Sequence, residues 1–200
     1  MKFKQSLILL LLLISTDIFS QNTKLCGTDF VMQDYRNSTW FQNQQAKIIA
    51  NNPADQNLNT KVIPVVFHVI HNGHPIGESE NISIEQINDA ISILNEDYNI
   101  LNQDLDDVVE SFQNIIGDTD VEFRLAKLDP NGNCTDGINR VFSHLTNQAN
   151  DCVKEVISWD DTKYVNIWVV EDIDSEIGAA AYTYLPGSLW GNEVEGIIIN

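Results

Sequence analysis

Apolar residues along this chain change period several times, and each change marks an element. Val62-Ile63-Pro64-Val65-Val66-Phe67-His68-Val69-Ile70 is almost continuously apolar and β-branched, the pattern of a strand covered on both faces. His71-Asn72-Gly73-His74-Pro75 turns it. Ser83 and Gln86 form a capping box that opens a helix through about Asn99, with Ile84, Ile87, Ile91, Leu94 and Tyr98 on one stripe. Val121 to Leu128 predicts a second strand, closed by the turn Asp129-Pro130-Asn131-Gly132-Asn133. Lys163 to Val170 predicts a third. Gly178 to Leu185, rich in small residues and bounded by Pro186-Gly187, predicts a fourth, and Glu195 to Asn200 begins a fifth. The implied fold class is α+β with α/β character: a twisted, mixed, five-stranded sheet with packed helices.

Upstream of the sheet, Ser38 to Asn51 carries Trp40, Phe41, Ile48 and Ile49 at helical spacing and is stopped by Asn51-Asn52-Pro53. An Asn-, Gln- and Asp-rich stretch to about Thr60 follows as a linker. The first sixty residues are expected to form no core of their own. At the start, Lys2 and Lys4 precede the apolar run Leu7 to Ile14, and Ile18-Phe19-Ser20 offers a cleavage point before Gln21. That layout is a secretory signal over residues 1–20, too short for a membrane span, and it predicts a secreted product that leaves the membrane once the signal is removed.

Composition and charge narrow the function. With 43% hydrophobic residues the chain can bury a core. The formal charge is −18, and removing Lys2, Lys4 and Asp17 leaves 9 basic and 28 acidic residues, a charge of −19. Phosphate backbones are repelled, so nucleic acid is excluded as a partner, as are anionic membrane surfaces. Three cysteines remain after the signal: Cys26, Cys134 and Cys152. Cys134 and Cys152 lie in one loop-rich stretch and are expected to pair, closing a loop of about 19 residues and adding on the order of 3 kcal/mol. Cys26 is then left over near the mature N-terminus.

Several short segments carry a more specific signal. They are Cys26-Gly27-Thr28, Ile63 to Ile70, Leu94-Asn95-Glu96-Asp97-Tyr98, Phe123-Arg124-Leu125-Ala126, Asp129 to Asn133, Gly137-Ile138-Asn139-Arg140, Tyr164 to Val170 and Gly196-Ile197-Ile198-Ile199. In this order and spacing the chain resembles secreted zinc metalloproteases of the pappalysin family, cytophagalysin- and ulilysin-like enzymes of the metzincin clan. The resemblance implies a metzincin-type N-terminal subdomain and hydrolysis of peptide bonds through a zinc-activated water, with peptides or proteins as substrates. It divides the chain into a signal (1–20), a pro-segment (21–60) and the N-terminal part of a catalytic domain (61–200). In the family a helix bearing His-Glu-x-x-His follows the strand that matches Glu195 to Asn200. Two histidines four apart share a helical face and bind zinc, with the intervening Glu as general base. This sequence lacks that motif, so the zinc site is expected beyond residue 200 and no catalytic residue is assigned within the chain.

The resemblance also implies roles for residues that are present. Cys26 matches the family's pro-segment cysteine, whose thiolate ligates the zinc and holds the zymogen latent. Ala179, Ala180, Ala181, Tyr182 and Thr183 match the edge strand above the cleft, along which a substrate lies antiparallel. His68 is expected to be a core residue, His71 and His74 turn residues, and His144 a surface residue. Asp104, Asp106, Asp107 and Glu110 read as a solvated helix start, and Glu171, Asp172, Asp174 and Glu176 as a solvated loop. Asp129-x-Asn131-x-Asn133 imitates the opening of a calcium loop, but its Gly falls at the fourth position and the segment reads as a turn; calcium stays a secondary expectation beside zinc. An alternative from another class is an exported, non-catalytic protein-binding module that keeps the sheet of this fold.

Overall fold

The structure is a computed structural model that describes residues 25–51, 60–184 and 195–200. The signal at 1–20, the linker at 52–59 and the Pro186-Gly187 turn lie outside the described residues. In chain order the elements are β1 (Leu25–Cys26), α1 (Thr28–Val31), α2 (Gln33–Arg36), α3 (Thr39–Asn51), β2 (Lys61–His71), α4 (Ile84–Tyr98), α5 (Glu110–Gln113), β3 (Val121–Leu125), β4 (Ile138–Phe142), α6 (Cys152–Val156), β5 (Val165–Val169), β6 (Ala179–Thr183) and β7 (Ile197–Ile199). Single 3-10 turns occupy Gln103–Asp107 and His144–Thr146. None of the described helices is long and apolar enough to cross a membrane.

All strands join one sheet in the order β1-β6-β7-β5-β2-β3, with β4 also paired to β2. Its long apolar run makes β2 the central strand. One flank pairs in parallel with β5, while the other is shared by β3 along Lys61–Val65 and by β4 along Phe67–His71. Among the described residues the sheet therefore has seven strands, against the five expected. The two extra strands carry weak local signals. β1 is two residues long, and β4 reads Ile-Asn-Arg-Val-Phe without alternation, so both depend on a partner strand for their definition.

Alternation along β2 feeds two cores. Val65, Phe67 and Val69 face α4 and pack with Ile87, Ile167 and Val169. On the other face Ile70 joins Trp168, Val153, Tyr182 and Ile198. The capping box forms as expected: the Ser83 hydroxyl accepts from the Gln86 N–H, and the Gln86 side chain accepts from the Ser83 N–H. From α4, Asn95 donates to the Phe123 carbonyl and accepts from the Phe123 N–H at 2.9 and 2.7 Å, while Asn99 donates to the Val121 carbonyl. These amides satisfy the outer edge of β3, which would otherwise invite pairing with another chain. At the far side, β7 enters through Gly196, with φ +124°; a Cβ there would sit 2.5 Å from the Trp168 ring and 2.6 Å from the Asn166 carbonyl, so only glycine fits.

Candidate functional site

β6 is antiparallel to β7, and its outer side is covered by β1, which runs parallel to it. Ladder bonds alternate in direction along a strand. Ala180 turns its carbonyl inward to the Asn200 N–H, at 3.1 Å. Ala181 turns its carbonyl outward and accepts from the Gly27 N–H at 2.7 Å. The Thr183 N–H also points outward and donates to the Thr28 hydroxyl at 3.2 Å. Gly27 is buried at this contact, where an added Cβ would lie 2.8 Å from both the Ala179 Cβ and the Ile177 Cγ2.

Cys26 is an exposed free thiol whose Sγ lies 3.2 Å from the Thr28 hydroxyl oxygen. Thr28 thus holds the thiol and the end of β6 through one oxygen. The following turn is tied by an Arg36–Asp29 ion pair at 2.6 Å and by Met32, which is fully buried.

Beneath β6 lies a polar cluster that sequence reading did not single out. The Tyr182 and Tyr184 hydroxyls donate to the two carboxylate oxygens of Asp151, at 3.2 and 2.6 Å. Lys154 meets the same carboxylate at 3.0 Å with its side chain only 3% exposed, and its ammonium packs over the rings of Trp168, Tyr182 and Tyr184. Burial lowers the Lys154 pKa, opposed by Asp151; burial and the Asp151 charge raise that of Tyr182. The cluster fixes the underside of the strand whose rim faces outward.

The four histidines do not come together as a tripod. His68 is wholly buried, and its Nε2 lies 2.8 Å from Asn166 Oδ1. That oxygen also accepts from the Trp159 N–H, so Nε2 carries the proton and Nδ1 accepts from Asn139 at 3.2 Å. Burial, only partly offset by Asn166, pulls the His68 pKa down to about 4, and the ring is neutral. His71 accepts from the Gly73 N–H and His144 lies by Asn72. The described residues therefore do not form the three-histidine zinc site of a metallopeptidase. The Asp129 carboxylate accepts from the Asn131 and Asn133 N–H groups at 2.9 and 2.8 Å, a closed turn that gives calcium no support.

Cys134 and Cys152, expected to pair, are both exposed free thiols here, one in the turn after β3 and the other opening α6. Glu171 is exposed in a loop, as expected, and its carboxylate comes together with His74 and the buried Glu80, all three ligand atoms lying within 4.8 Å of one another. Glu80 stood in no apolar pattern or spacing motif, so nothing in the sequence pointed to it.

Neither a protein-family profile nor a curated protein matches the chain significantly. Solved structures do. The chain shares its fold with mirolysin, a metalloprotease. A promirolysin mutant from Tannerella forsythia matches with 27% identity and a TM-score of 0.70, covering 88% of this chain and 59% of its own. Mature mirolysin from the same organism, in complex with a cleaved peptide, matches with 33% identity and a TM-score of 0.60 over 70% of this chain and 53% of its own. Mirolysin in complex with a small compound gives 32% identity and a TM-score of 0.60, over 70% and 52%. The chain thus spans between half and three-fifths of the length of these structures.

Proposed function

We propose that this chain is the latent front portion of an exported zinc metalloendopeptidase. Residues 21–60 act as its pro-segment, β6 as the edge that receives substrate, and Cys26 as the thiol reserved for the metal. The observation that carries this is β1 lying parallel on β6. A peptide substrate would add to β6 antiparallel and use the Ala181 carbonyl and the Thr183 N–H. β1 and Thr28 take those same groups with the chain reversed. The edge is then occupied by a segment whose peptide bonds run in the wrong sense for cleavage.

Two further facts support the reading. The precursor of mirolysin matches more of this chain than either of the other two mirolysin structures does, 88% against 70%. The mature form holds a cleaved peptide, which agrees with peptide substrates here. Because the 200 residues contain no His-Glu-x-x-His, the chain by itself should not hydrolyse peptides.

The coding sequence downstream of Asn200 tests the proposal. An in-frame His-Glu-x-x-His followed by a third His supports it. In the protein so encoded, Cys26→Ser should be active without processing while the parent is silent. Equal activity of the two would overturn the latent role of Cys26.

A further inference from the structure

We propose that His74, Glu80 and Glu171 form a binding site for a divalent transition-metal cation of the zinc or manganese type. Two segments build it: the loop that returns from β2, carrying His74 and Glu80, and the residue that follows Val170 at the end of β5, Glu171. The His74 Nδ1 lies 2.8 Å from Glu80 Oε2, and the three ligand atoms are mutually within 4.8 Å.

Glu80 is the informative member. Its side chain is fully buried, yet among the described residues no Lys or Arg forms an ion pair with it. A buried carboxylate calls for a compensating positive charge, and here the next group to approach is a second carboxylate, Glu171. The lone partner able to carry a positive charge, His74, is half exposed at the mouth. Two carboxylates and an imidazole gathered in this way lack the charge that a divalent ion would supply.

The surroundings hold each ligand from outside, as metal sites do. The Asn72 N–H donates to Glu80 Oε1 at 2.5 Å and so leaves Oε2 turned to the centre. The Ser79 hydroxyl donates to Glu171 Oε2 at 2.7 Å. Asn81 donates to the His74 carbonyl at 2.6 Å and is itself held by Arg140 at 2.6 Å. One imidazole nitrogen and two carboxylate oxygens suit zinc or manganese; calcium wants roughly six to eight oxygens. Ligand atoms around tetrahedral zinc are about 3.3 Å apart, so the His74–Glu80 contact opens by a few tenths of an ångström on loading. The exposed flank of His74 is the entry path, and water completes the shell.

Manganese is the probe of choice, because it favours oxygen and imidazole over the thiols of Cys26, Cys134 and Cys152. In the full chain, Mn2+ should broaden amide NMR signals of residues 72–81 and 171 first, and Zn2+ should displace it. Glu171→Gln, at an exposed position, should weaken Mn2+ at least tenfold while leaving the remaining spectrum unchanged. Ser79→Ala should weaken it about tenfold. A Kd weaker than roughly 1 mM, broadening centred on Asp104 to Glu110, or an undiminished effect in Glu171→Gln would each overturn the site. None of these readouts involves β1 or β6, so the site and the latent-peptidase reading fail separately.

Discussion

The Gly27 N–H donates to the Ala181 carbonyl across 2.7 Å, at a point where Gly27 has no room for a side chain. That bond closes the β1–β6 ladder, and the crowding around it makes the ladder sensitive to one methyl group. Gly27→Ala would press its Cβ against Ala179 and Ile177. Overpacking of this kind costs about 1–3 kcal/mol. The variant should lift β1 from β6 without unfolding the sheet, read as faster proteolysis within residues 25–51 and unchanged exchange protection in β2.

Thr28→Val keeps the shape of the side chain but removes the oxygen that accepts from the Thr183 N–H and contacts the Cys26 thiol. The expected loss is about 1 kcal/mol. Amide exchange at Thr183 should accelerate severalfold, and Cys26 should react faster with a thiol reagent. Unchanged exchange at Thr183 would contradict the bond.

His68 sets a pH dependence. Its pKa falls from 6.5 in the unfolded chain to about 4 in the fold, so between these values the unfolded chain binds a proton that the folded chain refuses. The stability it contributes is complete above pH 6.5 and is lost as pH falls toward 4, by about 3 kcal/mol in all. His74 acts in the opposite sense, since its hydrogen bond to Glu80 and the charge of Glu80 raise its pKa. Urea midpoints measured across this window should slope less in His68→Gln than in the parent. Equal slopes would show that His68 is protonated in the fold.

Under β6, Asp151 is the anion that two tyrosine hydroxyls and the buried Lys154 share. Asp151→Ala leaves Lys154 without that anion and should destabilise by about 2–3 kcal/mol, below the range for a fully buried pair because Asp151 is 41% exposed. Adding Lys154→Met should recover part of the loss. Chemical denaturation of the two single variants and the double variant measures both effects.

Much of the scaffold was legible because periodicity and packing agree. The unbroken run at Val62 to Ile70 became the central strand, and Ser83 with Gln86 capped the helix that covers it. β4 escaped because Asn139 and Arg140 interrupt its apolar pattern; Asn139 is spent on His68 and Arg140 on Asn81. The Asp151–Lys154–Tyr182–Tyr184 and His74–Glu80–Glu171 groups escaped for a related reason. Their members come from different segments, and only the sheet order brings them together. β6 was legible as a strand from its small residues and Cys26 as the leftover cysteine, but the parallel pairing of β1 on β6 required the fold.

Peptide docking on β6 tests the central claim most directly. An extended peptide titrated into the full chain should leave the amide signals of Ala179 to Thr183 unmoved while β1 holds the edge. With Gly27→Ala, which loosens β1, the same peptide should shift those signals. Equal shifts in both proteins, or shifts located away from β6, would contradict the account.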